Sequence, residues 1–409
     1  MFRTLRKGSV QLMGCVSQQC ACQRVLAAAT MVSNAGTHSL ADEFQKVSQS
    51  QGPATKTSFR TSISDPGKHT LSHEGLFYTV SKEDYQQWCS PSVAPEITDM
   101  MNAFNEHCFM VRKPSLEIIH YLKQADYSMP SIRYILYGRQ GCGKSVTLAQ
   151  VMHYCGLQDW LVAYVKFGSA FCRYARDPQI SSHNPARVDT PYLAASFLKQ
   201  FTKTNEALIK KLDLRLAHRY VWNRRESAEI GDPLMDILLM GTERVNYATD
   251  CVGALVKELK NYASSGQCKV LFAVNGVNGF WGTSRVRLES KLVPTENFSI
   301  IHNFKKMFRN DWNGGAVVCS VDVLNSDKDK RESYLPRYLL GREAFESLDP
   351  ILPIHVDKYS DKEMYSCLEY LCERNWIQNP KGHSDEGKRE ITFLSEKNPY
   401  EVIRVTQGW

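Results

Sequence analysis

The chain has 409 residues, 43% of them hydrophobic and 23% charged, an ordinary globular balance with enough length for one or two domains and a large core. No stretch approaches the roughly 20 apolar residues of a membrane helix, which excludes a helical span. The net charge of +7 is concentrated at the start. Residues 1–41 hold Arg3, Arg6, Lys7 and Arg24 and no acid, and without those four the remainder carries about +3. Any nucleic-acid contact must therefore come from local patches.

Scattered arginines, no acids and amphipathic apolar residues (Phe2, Leu5, Val10, Leu12, Met13) give residues 1–41 the pattern of a mitochondrial transit peptide. A secretory signal would need a compact apolar core, which is missing. Residues 42–72 are rich in Ser, Thr and Gln without an apolar period and suggest an extended arm or linker. Globular patterning starts near His73. Glu96–Gln124 suggests a helix broken at Pro114. Ser131–Tyr137 is a short apolar run expected to be a buried strand, and Val146–Cys155 has helical spacing with Gly156 as its stop.

Trp160–Val165 predicts a second strand. A largely helical insertion over about residues 170–245 follows, with Thr190-Pro191 placed to open a helix. A helix through Val252, Leu255, Val256 and Leu259 leads to a third strand at Val270–Val274. Ala316–Val321 and Ile351–Val356 predict two more. Alternating strands and helices over residues 73–357 predict an α/β domain with a mainly parallel sheet, followed by a small, mostly helical region over 358–409.

The chemistry centres on Gly138-Arg139-Gln140-Gly141-Cys142-Gly143-Lys144-Ser145. It satisfies G-x-x-x-x-G-K-[ST] between a predicted strand and helix, the P-loop pattern of NTPases. Glycines let backbone N–H groups turn inward around phosphates, and the helix N-terminus adds a favourable dipole. Lys144 is expected on the β- and γ-phosphates and Ser145 on Mg2+. Cys142, at the loop's electropositive turn, is expected to be a reactive thiolate that bound nucleotide protects.

The strand at Val270–Val274 is suited to end in a metal-holding Asp but ends in Asn275-Gly276. An amide can accept a hydrogen bond from a metal-bound water, but it carries no charge and is no base. The competing reading is a hairpin turn, which Asn-Gly also signals. The N-K-x-D guanine motif is absent, so chemistry alone leaves GTP and ATP open. The 13 cysteines form no C-x-x-C pair or zinc spacing, and most are expected as reduced, buried thiols.

Basic residues cluster at Lys203–Arg225, Lys305–Arg309 and Lys328–Arg342. In the first cluster Lys210, Lys211, Arg215, Arg219, Arg224 and Arg225 alternate with Tyr220 and Trp222, a composition that suits RNA. A charge run is more often only a solvated helix face.

Several strings resemble the death-associated protein 3 family: Met110-Val111-Arg112-Lys113-Pro114, His120-Tyr121-Leu122-Lys123, the glycine loop, Tyr220–Ser227, Asn310–Gly315 and Tyr334-Leu335-Pro336. The resemblance spans about residues 73–400. It implies a P-loop ATPase-like fold, bound GTP or GDP with Mg2+, and Met110 near the base. It further implies partnership with small-subunit rRNA and neighbouring ribosomal proteins in the mitochondrion, and a link to apoptosis. The family pattern Asp-Gly-Ile-Asn stands here as Asn275-Gly276-Val277-Asn278, which favours a binder, at most a slow GTPase. The alternative is an active GTPase or ATPase switch in mitochondrial translation or cell-death signalling.

Overall fold

The computed structural model describes residues 59–326 and 331–409. The expected leader and the expected arm up to residue 58 lie outside them, as do Lys328 and Lys330 of the third basic cluster. Residues 59–72 contain two short 3-10 turns, Pro66–Lys68 and Leu71–His73, and Arg60 pairs with both Glu106 and Glu373.

Strands β1 (Phe77–Val80) and β2 (His107–Met110) pair antiparallel, with Phe77 opposite Met110. Between them runs helix α1 (Pro95–Ala103), and after them α2 (Lys113–Gln124). This corrects the single broken helix expected over residues 96–124. All four residues of β2 are buried, so the run lacks the alternation that marks a strand. Pro114 begins a helix rather than breaking one, because in the first turn its missing N–H would be unpaired anyway.

The central elements follow in strict alternation. Strand β3 (Ile132–Tyr137) leads through the glycine loop to α3 (Lys144–Leu157) and then β4 (Trp160–Val165). The insertion supplies α4 (Pro191–Leu212) and α5 (Leu234–Glu243), with two small hairpins at residues 179–189 and 220–228. Helix α6 (Ala248–Ser264) leads to β5 (Lys269–Val274), then α7 (Ser299–Lys305), β6 (Gly315–Ser320), α8 (Pro336–Leu348) and β7 (Ile351–His355). Three helices close the chain: α9 (Asp361–Glu373), α10 (Asp385–Ser395) and α11 (Pro399–Thr406). Gly156 does not stop α3 as expected. It lies inside the helix, where a Cβ would stand 2.3 Å from the Trp88 ring.

Five strands form one parallel sheet in the order β7-β3-β6-β5-β4. Both faces are covered. Ile135, Phe272, Val274 and Val317 pack on the side of α4, α5 and α6, while Leu136, Leu271, Ala273 and Val318 pack against α2 and α3. Burial on both faces is why β3, β4, β5 and β6 are near-continuous apolar runs in the sequence, whereas the edge strand β7 leaves Leu352, Pro353 and His355 exposed. The C-terminal helices share a core with the β1–β2 pair: Phe77, Met110, Cys367, Tyr370, Ile391 and Val402 pack together. The ten described cysteines are free; nine are buried and Cys372 is half-buried.

Candidate functional site

In a parallel sheet, ligands sit beyond the carboxyl ends of the strands, where the chain order reverses direction. That point here is the end of β3. From β3 the chain crosses toward β4 on one side, and it returns later to lay β7 on the other. The glycine loop begins there. Gly138 has φ 151°, and a Cβ on it would stand 2.1 Å from the Val356 carbonyl oxygen. No other residue fits that approach. Gly143, in the left-handed region, opens α3 without any side-chain cap. The first N–H groups of that helix are thus left for an external acceptor, the arrangement that receives an anion.

Lys144 is 9% exposed, and its ammonium donates to the carbonyls of Gly138 and Arg139, each at 2.9 Å. One of its three N–H donors remains for a ligand oxygen. Burial lowers its pKa below the usual lysine value, with Asp322 acting in the opposite direction. Ser145 Oγ accepts from Asn275 Nδ2 at 3.1 Å. Asn275 Oδ1 in turn accepts from Ser320 Oγ at 2.6 Å, while Ser320 Oγ accepts from the Gly276 N–H at 3.0 Å. That chain of donors turns the NH2 of Asn275 toward Ser145. The hairpin reading of Asn275-Gly276 is excluded, since β5 pairs only with parallel neighbours and Gly276 leads into a short 3-10 turn, Val277–Trp281.

A cavity of about 410 Å3 opens over the loop. Its lining includes the polar Gln140, Gly141, Lys144, Ser145 and Asn275 and the apolar Met110, Met100, Ile97 and Tyr370. Met110 is 5% exposed on β2, and its carbonyl accepts from Gln150 of α3 at 2.8 Å. The structure thus brings the loop, Asn275 and Met110 to one cavity.

Three contributors to the site were not singled out in the sequence. Arg112 donates to the Cys142 carbonyl at 2.7 Å, to Glu363 at 2.9 Å and to the Asp357 carbonyl at 2.9 Å, with its guanidinium over the Tyr359 ring. It clasps the loop to the start of α9. The start of α11 is a second clasp: Asn398 Nδ2 donates to the Gln140 carbonyl and the Tyr400 N–H to the Gly141 carbonyl. The third is Asp322, just beyond β6, which lines the cavity.

Cys142 departs from expectation. Its side chain is 1% exposed among Leu136, Ile354 and Val356, and burial pushes its pKa up despite Lys144 and Arg112 nearby. The loop's dipole acts on the backbone, while the thiol turns into the core. Alkylation of Cys142 is therefore expected to be slow and equal with and without nucleotide, as read by mass spectrometry of iodoacetamide-treated protein. Protection by nucleotide would mean that the thiol faces the cavity.

The basic candidates separate into two groups. Lys210 pairs with Glu206, Lys211 with Asp159, Arg215 with Asp213 and Arg219 with Glu229. Arg224 and Arg225 stand exposed at the tip of the 220–228 hairpin and, among the described residues, form no ion pair. Tyr220 and Trp222 stack beside them with ring centroids 6.0 Å apart. Lys305 lies over Trp281.

Fold and site together define an α/β protein with an anion-ready glycine loop at the switch point of a parallel sheet. The chain belongs to the family described as Mitochondrial ribosomal death-associated protein 3, which matches residues 109–405. It is 40% identical over 346 residues to the small ribosomal subunit protein mS29 of Bos taurus, covering 84% of this chain and 87% of that one. The mS29 of Mus musculus is 40% identical over 364 residues, with 88% and 93% covered. That of Neurospora crassa is 21% identical over 65% of this chain and 55% of its own. Membership of this family places the chain in the mitochondrion. A solved chain titled "Structure of E. coli MS115-1 HORMA:CdnC:Trip13 complex" aligns at 10% identity with a TM-score of 0.27, covering 82% of this chain and 94% of that one. A likeness at that level carries no argument.

Proposed function

We propose that this protein is a constituent of the mitochondrial small ribosomal subunit and holds a guanine nucleotide in a P-loop site, chiefly as a structural ligand. The observation that carries the nucleotide reading is the uncapped N-terminus of α3, preceded by Gly138–Gly143 and lining a cavity that has both polar and apolar walls. The backbone N–H groups at Gly141–Ser145 and the Lys144 ammonium would hold phosphates, and Ser145 Oγ a magnesium ion. The apolar lining, Met110 included, suits a purine ring; guanine is the base that the family resemblance implies. The ribosomal part of the reading rests on family membership and the relatives' names. The exposed Arg224–Arg225 tip, with stacked Tyr220 and Trp222, offers a surface suited to rRNA.

A ligand present at 100 times its dissociation constant stabilises a fold by about 2.7 kcal/mol. Against a total of about 5–15 kcal/mol, a bound nucleotide is a sizeable part of this domain's stability. Asn275 brings no base, so turnover forgoes the roughly 10²–10⁴-fold that a positioned acid–base group contributes.

The test is sedimentation of mitochondrial lysate with nucleotide extracted from the small-subunit fractions. The expected result is this chain in those fractions, with guanine nucleotide in comparable amount. A chain that stays at the top of the gradient would sink the ribosomal reading. Adenine nucleotide in its place would overturn the base assignment.

A further inference from the structure

Magnesium is held in phosphate sites through one or two carboxylates together with substrate phosphates, often across water. At the end of β5 this chain offers Asn275, an uncharged amide whose oxygen accepts from Ser320 and whose NH2 faces Ser145. A donor at that place opposes a metal-bound water, which also donates. The site as read under the proposed function therefore has its serine and its lysine but lacks its acid at the customary strand.

Strand order shows where an acid can come from. β6 lies between β3 and β5, with Ser320 opposite Leu136 on one side and Cys319 opposite Val274 on the other. Residues just beyond β6 therefore emerge between the glycine loop and Asn275. Asp322 is there. Among the described residues that line the cavity it is the one acid, and its charge is felt at Lys144.

Its placement is fixed from below. The Asp322 N–H donates to Asn278 Oδ1 at 3.0 Å, and Asn278 Nδ2 donates back to the Asp322 carbonyl at 2.9 Å. Asn278 is 4% exposed and reaches Ser326 as well. One carboxylate oxygen of Asp322 accepts from the Leu324 N–H at 3.0 Å. A carboxylate has about four acceptor positions, so most of its capacity is left for the cavity. Gly276 makes room for this turn. A Cβ on it would stand 1.9 Å from Asn325 Nδ2 and 3.7 Å from Asp322 Cβ.

We propose that Asp322, at the end of β6, is the carboxylate that holds the magnesium ion of this nucleotide site through its water shell, supplying the negative charge that the Asn275 amide does not. The proposal rests on the nucleotide reading above and deepens it. It also explains why an amide is compatible with the end of β5: with Asp322 already in the cavity, a second carboxylate there would lie close to the first.

The test measures affinity rather than turnover. A fluorescent GDP analogue is titrated into wild type, Asp322→Asn, and Asp322→Asn combined with Asn275→Asp, each in EDTA and in excess Mg2+. The coupling by which one bound ligand changes the affinity of another is typically 5–150-fold, so Mg2+ is expected to tighten wild-type binding about tenfold. In Asp322→Asn that ratio is expected to fall to about twofold or less, with EDTA affinity unchanged or higher because a charge that repels phosphate is gone. The double variant is expected to regain the ratio from the other strand. A fold defect would instead weaken binding in both buffers alike, and that outcome overturns the metal role. A ratio that survives Asp322→Asn overturns this inference alone, leaving the nucleotide reading in place. Failure of wild type to bind in either buffer overturns both.

Discussion

Replacing Arg112 with Ala is expected to lower the stability of the protein by about 3–5 kcal/mol, the range for removing one partner of a buried ion pair. Arg112 is 8% exposed and Glu363 4%. Their contact at 2.9 Å is accompanied by Arg112 hydrogen bonds to the carbonyls of Cys142, Asp357 and Lys358. The partner Glu363 also accepts from the Ser360 N–H as part of the box that starts α9, so its carboxylate cannot turn to water without opening the helix. Losing the arginine leaves that charge buried and unpaired and frees the glycine loop from the segment after β7. Urea unfolding of Arg112→Ala and of Arg112→Ala with Glu363→Gln separates the two effects. Because the amide keeps the cap but not the charge, the double variant is expected to be more stable than the single one. A single variant within about 1 kcal/mol of wild type would mean that the pair is solvated and the clasp dispensable.

Four of the five parallel strands, β3 to β6, were legible because each is buried on both faces and stands in the sequence as an apolar run ending in turn residues, while the edge strand β7, with Leu352, Pro353 and His355 exposed, showed only as a short apolar stretch. The glycine loop was legible for a different reason: its left-handed positions demand glycine in a fixed spacing. Strand β2 was hidden, since four buried residues between two helices carry no period of their own. Arg112 stood in a string that pointed to the base, yet its work is to tie that string to Glu363, 251 positions away. Nothing local to Asn398 marks it as a partner of Gln140 across 258 positions. Asp322 was within reach of sequence reasoning, because it follows an apolar strand as Asn275 does, and strand ends are where ligands sit. Cys142 failed on a balance of effects: the helix dipole favours a thiolate, but burial of the sulfur outweighs it.

Replacing Lys144 with Ala is expected to weaken GTP binding at least about tenfold, or 1.4 kcal/mol. The argument starts from the lysine's present bonds. Its ammonium is held beside the glycine loop by the Gly138 and Arg139 carbonyls, with one N–H left over. A phosphate at the α3 N-terminus would meet a positive charge already desolvated and positioned, so little ordering remains to be done on binding. The substitution removes that charge and two loop hydrogen bonds from a charged donor, of about 1.5–3 kcal/mol each. Some general loss of stability is therefore expected alongside the binding defect. Comparing GTP with guanosine distinguishes the two causes. Guanosine lacks phosphates and relies on the cavity's apolar lining, so its weaker binding should be the same in both proteins. GTP should lose its advantage over guanosine only in the variant. Equal loss for both ligands would trace the effect to a distorted cavity, and equal retention of labelled GTP by wild type and Lys144→Ala would remove the glycine loop from the binding site altogether.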